Sequence, residues 1–452
     1  MKKDELNMEK YAALSRQAAA EGCVLLRNED QALPIKKGEK VSVFGRIQFD
    51  YYKSGTGSGG LVNTEYVVGI LDALKANDEL ALNQELIDTY EEWLEDNPFD
   101  HGEGWAQEPW SQKEMPVSAE LAQKSAAESD LAVVILGRTA GEDRDNSATK
   151  GSYYLTDTEE EMLAEVTKAF DRVAVVLNVG NIIDMNWVEK YQPEAVLYAW
   201  HGGMEGGNGT VDVLTGKVNP SGKLSDTIAC DISDYPSMDD FGNKETLIYK
   251  EDIYVGYRYF ETAARDRVMY PFGYGLSYTE FEMDILNFDE NKDSLTVEVE
   301  VTNTGNRAGK EVVQVYAAKP LGKLGKAART LEAFAKTKLL EPGASQTISC
   351  SFTKKQLASY DDSGITGHKS SYVLEAGQYD IYAGSDVRSA EPAGSFEIDS
   401  LELVEELEEA CAPVESFERL KVEADGTMTK EEAPQRSVDL EARIAENRPE
   451  EI

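Results

Sequence analysis

The sequence predicts an α/β layered sandwich with a mainly parallel sheet, followed by an all-β sandwich. Three observations carry this expectation. Short apolar runs rich in Val and Ile, at 41–45, 131–136, 173–180 and 194–200, alternate with amphipathic segments over residues 8–226. Runs of that kind, lacking polar alternation, are strands covered on both faces. From about residue 286 the period changes to two, as in SLTVEVEVTNTG (294–305) and GQYDIYAGS (377–385), with turn signals at NTGN and EPGA. A length of 452 residues also exceeds one ordinary domain.

In chain order, a helix is expected over 7–23, with Tyr11, Leu14, Ala18 and Ala19 on one side. VLLRN (24–28) and VSVFG (41–45) follow as strands, then the glycine-rich YYKSGTGSGGLVN (51–63). Its spacing matches neither GxGxxG leading into a helix nor GxxxxGK[ST]. The loop is therefore expected to let its backbone approach a ligand or a neighbouring domain, not to cradle a nucleotide. Helices are expected over 65–75 and 83–94, and over 157–171 with Asp157 as N-cap. The irregular stretch 96–117 carries Trp105 and Trp110; indoles on a long loop stack on sugar rings or plug the loop against the core. Four units result: an α/β unit at 1–230, a connection at 231–285, a β-sandwich at 286–395, and an acidic linker at 396–452 with short helices and little core.

A hydrophobic content of 41% suffices for proper cores, and 84 acidic against 45 basic residues give a net charge of −39. Such a surface repels phosphate backbones and anionic lipid, so neither nucleic acid nor a membrane surface is an expected partner. Solubility alone also accounts for the charge. Four scattered cysteines (Cys23, Cys230, Cys350, Cys411) and three histidines offer no metal-ligand spacing, and no metal or cofactor is expected. The first residues, MKKDELNMEKYAALS, have no apolar core, and no run of 18 apolar residues occurs. Neither a signal peptide nor a membrane span is expected, and the cytoplasm is the simplest compartment.

The densest chemistry follows the run 131–136. Arg138, Glu142, Asp143, Arg144 and Asp145 lie just past its carboxyl end, where open α/β sheets bind ligands. The competing reading is a solvated acidic loop with local Arg–carboxylate pairs.

Five motifs then fall in one order: GRTAGEDRDN (137–146), AWHGGMEGGNGTVDVLTGKVNPSGKL (199–224), IYVGYRYF (253–260), YPFGYGLSYTEF (270–281) and VTNTGNRAGKEVVQVY (301–316). Through residues 10–395 the set resembles glycoside hydrolase family 3, the β-glucosidase family. The resemblance implies the family's α/β sandwich domain followed by its fibronectin type III-like domain, as in permuted members whose (β/α)8 barrel comes last. No stretch reads as eight βα units or as the family's nucleophile motif, so the barrel is expected to be missing, with 396–452 as the connector toward it. The activity implied is retaining hydrolysis of terminal β-linked glucosides, with the barrel supplying the nucleophilic Asp. By the same resemblance Glu142 matches the acid/base residue, Asp143 is the fallback because the family loop is often longer here, and Arg144 orients the loop. Trp105, Trp110 and Ser58 are the substrate-binding candidates. The partners implied are a β-glucoside or oligosaccharide and a barrel-bearing second polypeptide. Self-association is the alternative, through an exposed apolar patch near the Glu142 loop and the glycine loop 55–60. The competing function is a non-catalytic carbohydrate- or partner-binding module left from a truncated family 3 enzyme.

Overall fold

The computed structural model describes residues 7–142, 144–409, 411–439 and 441–442. Six strands build the first sheet: β1 (Val24–Asn28), β2 (Lys40–Phe44), β3 (Ala81–Leu82), β4 (Leu131–Arg138), β5 (Val173–Val179) and β6 (Ala195–Tyr198). Their order is β1-β6-β5-β4-β2-β3. All neighbours are parallel except β1, which runs antiparallel to β6 at one edge. Every residue of β4 and β5 is buried, as their uninterrupted apolar runs require.

Alternate residues of β4 serve two cores. Ala132, Val134 and Leu136 face one, and Leu131, Val133 and Ile135 the other. The first core is closed by α3 (Gln84–Asp96), α4 (Ala119–Glu128), α5 (Asp157–Ala169) and α6 (Asn186–Tyr191), the second by α1 (Met8–Gly22), α2 (Ile70–Lys75) and α7 (Gly206–Leu214). The layered α/β architecture expected from the sequence is the one observed.

Three local expectations are corrected. Tyr11 and Leu14 of α1 do not face the core; they are 47% and 57% exposed. The helix packs through its alanines instead, because a Cβ on Gly209 of α7 would lie 2.8 Å from both the Ala19 Cβ and the Ala20 nitrogen. The segment before Ile70 is not helical, since its backbone is committed elsewhere: Val68 donates to the Met204 carbonyl and accepts from Gly207. The N-cap of α5 is Thr156 in a capping box with Glu159, not Asp157.

A connection follows with the short pair β7 (Ile228–Ala229) and β8 (Val268–Tyr270), and α8 (Tyr257–Ala263) between them. Next come β9 (Phe281–Glu290), β10 (Ser294–Asn303), β11 (Val312–Ala318), β12 (Thr330–Lys336), β13 (Ser345–Thr353), β14 (Ser359–Asp361), β15 (Ser371–Leu374), β16 (Gly377–Gly384) and β17 (Glu391–Ile398). The sheets β13-β10-β9 and β12-β11-β16-β17 enclose Val297, Val299, Val315 and Ile381. Burial alternates strictly along β10, which is the period-two signal in its folded form.

The acidic stretch after 396 forms strands where short helices were expected: β18 (Glu402–Glu406), β19 (Glu418–Val422) and β20 (Met428–Glu432). The β19–β20 hairpin buries Val422 against Tyr254 and Ala327. Arg419 ties it down through Asp252 (3.2 Å), Asp362 (2.5 Å) and Glu431 (2.8 Å). Alternation in ERLKV, masked by the surrounding acidity, is what the strand uses.

Candidate active site

The site is built outward from the carboxyl ends of the three central strands. Arg138 ends β4, fully buried, and grips Glu159 of α5 with both terminal nitrogens (2.7 and 2.6 Å). Its own carbonyl meets the His201 Nε2 at 2.9 Å. Burial lowers the His201 pKa against the pull of that carbonyl, which keeps the imidazole neutral. Asn178 is the single polar residue in the buried β5. Its Oδ1 accepts from the Tyr52 amide (2.8 Å), and its Nδ2 donates to the Tyr52 and Trp200 carbonyls (2.9 and 2.7 Å). The rim is thus a hydrogen-bonded polar network.

Beyond it the chain loosens in a controlled way. Thr139 is still buried and donates its amide to the Trp110 carbonyl (2.8 Å). Gly141 and Arg144 then exchange backbone hydrogen bonds of 3.2 and 3.0 Å, closing a turn with Glu142 near its tip. The glycine-rich loop lies against this turn. Thr56 donates to the Ala140 carbonyl at 3.1 Å. Gly57 has φ +85°, and a Cβ there would sit 2.3 Å from the Glu142 Cβ. Such an approach needs glycine on both counts.

Glu142 itself is exposed, and its Oε2 accepts from the Ser58 amide at 2.8 Å. The amide and hydroxyl of Ser58 lower its pKa, so it stands ionised as an acceptor. Ser58 and Glu142 are therefore brought together. Asp143, the fallback, lies outside the described residues. Arg144 lies against an aromatic ring: its guanidinium is 4.5 Å from the Trp110 ring centroid, while the Trp110 indole donates to the Asp145 carbonyl (2.9 Å). Its Nε is buried without a hydrogen-bond partner among the described residues. The two indoles part company here. Trp110 braces the turn, whereas Trp105 is 51% exposed. Near Arg144, burial raises the Glu108 pKa, opposed by His101 and Arg144.

Leu61, Val62, Tyr66 and Val67, which follow the glycine loop, are also exposed large apolar side chains. Sequence reasoning passed over Asn178, although a lone polar residue near the end of an all-apolar strand was the signal that could have found it. For Tyr52, whose backbone meets Asn178, no such signal existed.

An α/β layer followed by a β-sandwich is the order of the two domain families that the chain matches. Residues 23–278 match the glycosyl hydrolase family 3 C-terminal domain and 311–387 the fibronectin type III-like domain. The chain belongs to glycoside hydrolase family 3. It is 50% identical to a beta-glucosidase of Ruminococcus albus over 97% of this chain and 46% of that protein. It is 37% identical to beta-glucosidase A of Butyrivibrio fibrisolvens, over 94% of this chain and 55% of that one. Among solved structures, a beta-glucosidase from Paenibacillus barengoltzii superposes with a TM-score of 0.95 at 51% identity, covering 99% of this chain and 50% of the other. Beta-glucosidase 3B from Thermotoga neapolitana, in complex with glucose, gives 0.80 at 36% identity, covering 88% and 55%. The chain spans about half the length of the relatives it matches.

Proposed function

We propose that this chain supplies the acid/base half of a retaining β-glucosidase-type site acting on terminal β-linked glucosides, with a (β/α)8 barrel supplying the nucleophile. The observation that carries this reading is the Glu142 turn, held by its own backbone pairing and by the glycine loop at the end of the sheet where ligands bind. Retaining hydrolysis needs a second carboxyl about 5–5.5 Å away. Glu142 would protonate the leaving glycosidic oxygen and, as the carboxylate, activate the incoming water. The first step needs a raised pKa, opposite to the direction that Ser58 imposes on the uncovered loop. Burial by a barrel, together with the charge of its nucleophile, would reverse that direction.

Leu61, Val62 and Tyr66, just after the glycine loop, and Trp105 are exposed large apolar side chains of the kind such a barrel would cover. This reading holds whether the barrel stands on the same polypeptide or on another, and Trp105 is the exposed indole open to sugar. The experiment is hydrolysis of a chromogenic β-glucoside by the chain alone, by the chain with a family 3 barrel domain, and by that mixture carrying Glu142→Gln. Activity in the mixture only, lost in the variant, is expected. Activity of the chain alone would overturn the two-part site. No activity in any mixture would favour a non-catalytic binding module.

A further inference from the structure

A second cavity lies in another part of the chain from Glu142, with a volume of about 420 Å³, between the segment 252–258, the loop before β12, the β14–β15 pair and the β19–β20 hairpin. Acidic residues outnumber basic ones 84 to 45 in the chain, yet six cations and only four carboxylates line this cavity. Most of those cations are matched. Lys319 meets Glu332 (3.4 Å), Lys326 meets Glu375 (2.6 Å), and Lys421 shares Glu431 with Arg419.

Two are not. Among the described residues, neither Arg258 nor Lys323 has a carboxylate within ion-pair distance. Arg258 lies 5.8 Å from the Tyr257 ring centroid, and the Lys323 Nζ reaches only the Ile365 carbonyl at 3.4 Å. Burial, helped by the neighbouring Arg258, holds Lys319 below the usual lysine range in spite of Glu332. With Glu375 counted, five carboxylates meet the six cations, and Arg258 and Lys323 are the exposed cations at the rim without an ion pair among the described residues.

An aromatic feature shares the cavity. Tyr360 and Tyr372 are directly paired across β14 and β15, with ring centroids 5.2 Å apart, and are 37% and 39% exposed. A tilted, half-exposed tyrosine pair offers apolar ring area beside hydroxyls, which suits the C–H face and hydroxyl rim of a pyranose. A long polyanion does not fit the location, because a net charge of −39 repels it along most of its length. A single anionic group inside the cavity avoids that penalty.

We propose that this cavity binds an anionic saccharide, a pyranose unit bearing a carboxylate, with its ring on Tyr360 and Tyr372 and its carboxylate drawn to Arg258 and Lys323. The site does not depend on the hydrolytic reading, since it shares no residue with the Glu142 turn. Calorimetric titration of the full chain at low ionic strength with a glucuronic acid-containing disaccharide, cellobiose and inorganic phosphate tests it. The acidic disaccharide is expected to bind with a Kd of about 1 mM or tighter, at least about tenfold better than cellobiose. The Arg258→Gln/Lys323→Gln pair should lose about tenfold, and so should Tyr360→Ala/Tyr372→Ala. Phenylalanine at both tyrosine positions, which keeps the rings, should retain binding and serves where the alanine pair fails to fold. Equal affinity for cellobiose, or no effect of the glutamine pair, would overturn the proposal. Phosphate binding as tightly as the disaccharide, unaffected by the tyrosine changes, would reduce the cavity to a plain anion site and overturn the saccharide assignment.

Discussion

Two carboxylates in the α/β layer are held by backbone amides and behave in opposite ways. Glu114 accepts from the Arg46 amide (3.1 and 3.0 Å) and the Met115 amide (2.8 Å), and is buried. Its pKa is nevertheless pushed up to about 8, because burial outweighs both amides. Glu142 accepts from one amide, is exposed, and its pKa is lowered. The amide favours the charged form in both cases, so the presence or absence of solvent sets the sign. A cover over Glu142 is what would carry it from its present state toward that of Glu114.

A third carboxylate gives the largest expected effect and tests how much burial costs when a cation compensates it. Glu159 is as buried as Glu114 but is gripped at both oxygens by Arg138. Glu159→Ala strands that guanidinium and removes half of the α5 capping box, so unfolding in urea should show a loss of about 3–5 kcal/mol. A loss below about 1 kcal/mol would mean that the rim is wetter than its burial implies, and would weaken the contrast with Glu142.

The next effect is read from pH. The folded chain keeps Glu114 protonated up to about 8, whereas an unperturbed carboxyl releases its proton near 4.5. Between those values the folded state holds a proton that the unfolded state lacks. Stability from this group therefore falls as pH rises, by at most about 1.4 kcal/mol per unit, and levels off above the folded pKa. Glu114→Gln should flatten that slope in urea midpoints taken across the window. An unchanged slope would assign it to other groups.

The contrast also explains what was legible in the sequence. The buried strands could be read because a two-sided core demands apolar residues at every position, as in β4 and β5. The sandwich could be read because a one-sided core demands alternation, as in β10. Glu142 was singled out through its place after β4 together with the family motif around it. Its pKa direction was not readable, because that depends on Ser58, 84 residues away in the chain, meeting it through a loop with no period of its own. The α1 face was misread for a related reason: Tyr11 and Leu14 satisfy the helical spacing, but the close approach allowed by Gly209 favours alanines at the contact. The hairpin β19–β20 was missed because its few inward side chains sit among acidic neighbours that resemble a solvated linker.

A smaller effect separates loop geometry from loop composition. Gly57→Ala places a methyl group against Glu142 and strains a residue at φ +85°, whereas a Cβ on Gly59 meets nothing within 4 Å. Following the Ser58 amide by NMR through acid titration should show the Glu142 carboxylate in the native chain and in Gly59→Ala, and not in Gly57→Ala. Global stability should change by no more than about 1 kcal/mol, since the loop is open to solvent. If Gly57→Ala retains the titration signal, the glycine is not what places Ser58 against Glu142.

A more local effect distinguishes the two indoles. Trp110 gives Arg144 a ring at 4.5 Å and donates to the Asp145 carbonyl, so it braces the turn independently of the glycine loop. Trp110→Ala should cost about 1–2 kcal/mol and speed hydrogen exchange at the Gly141 and Arg144 amides, each of which donates to the other residue's carbonyl across the turn. Trp105→Ala should leave both amides unchanged, because no contact joins its ring to the turn among the described residues. If the two variants exchange alike, the turn is held by its backbone pairing alone. Under the proposed function, a barrel that covers Glu142 would then have to fix its position as well as raise its pKa.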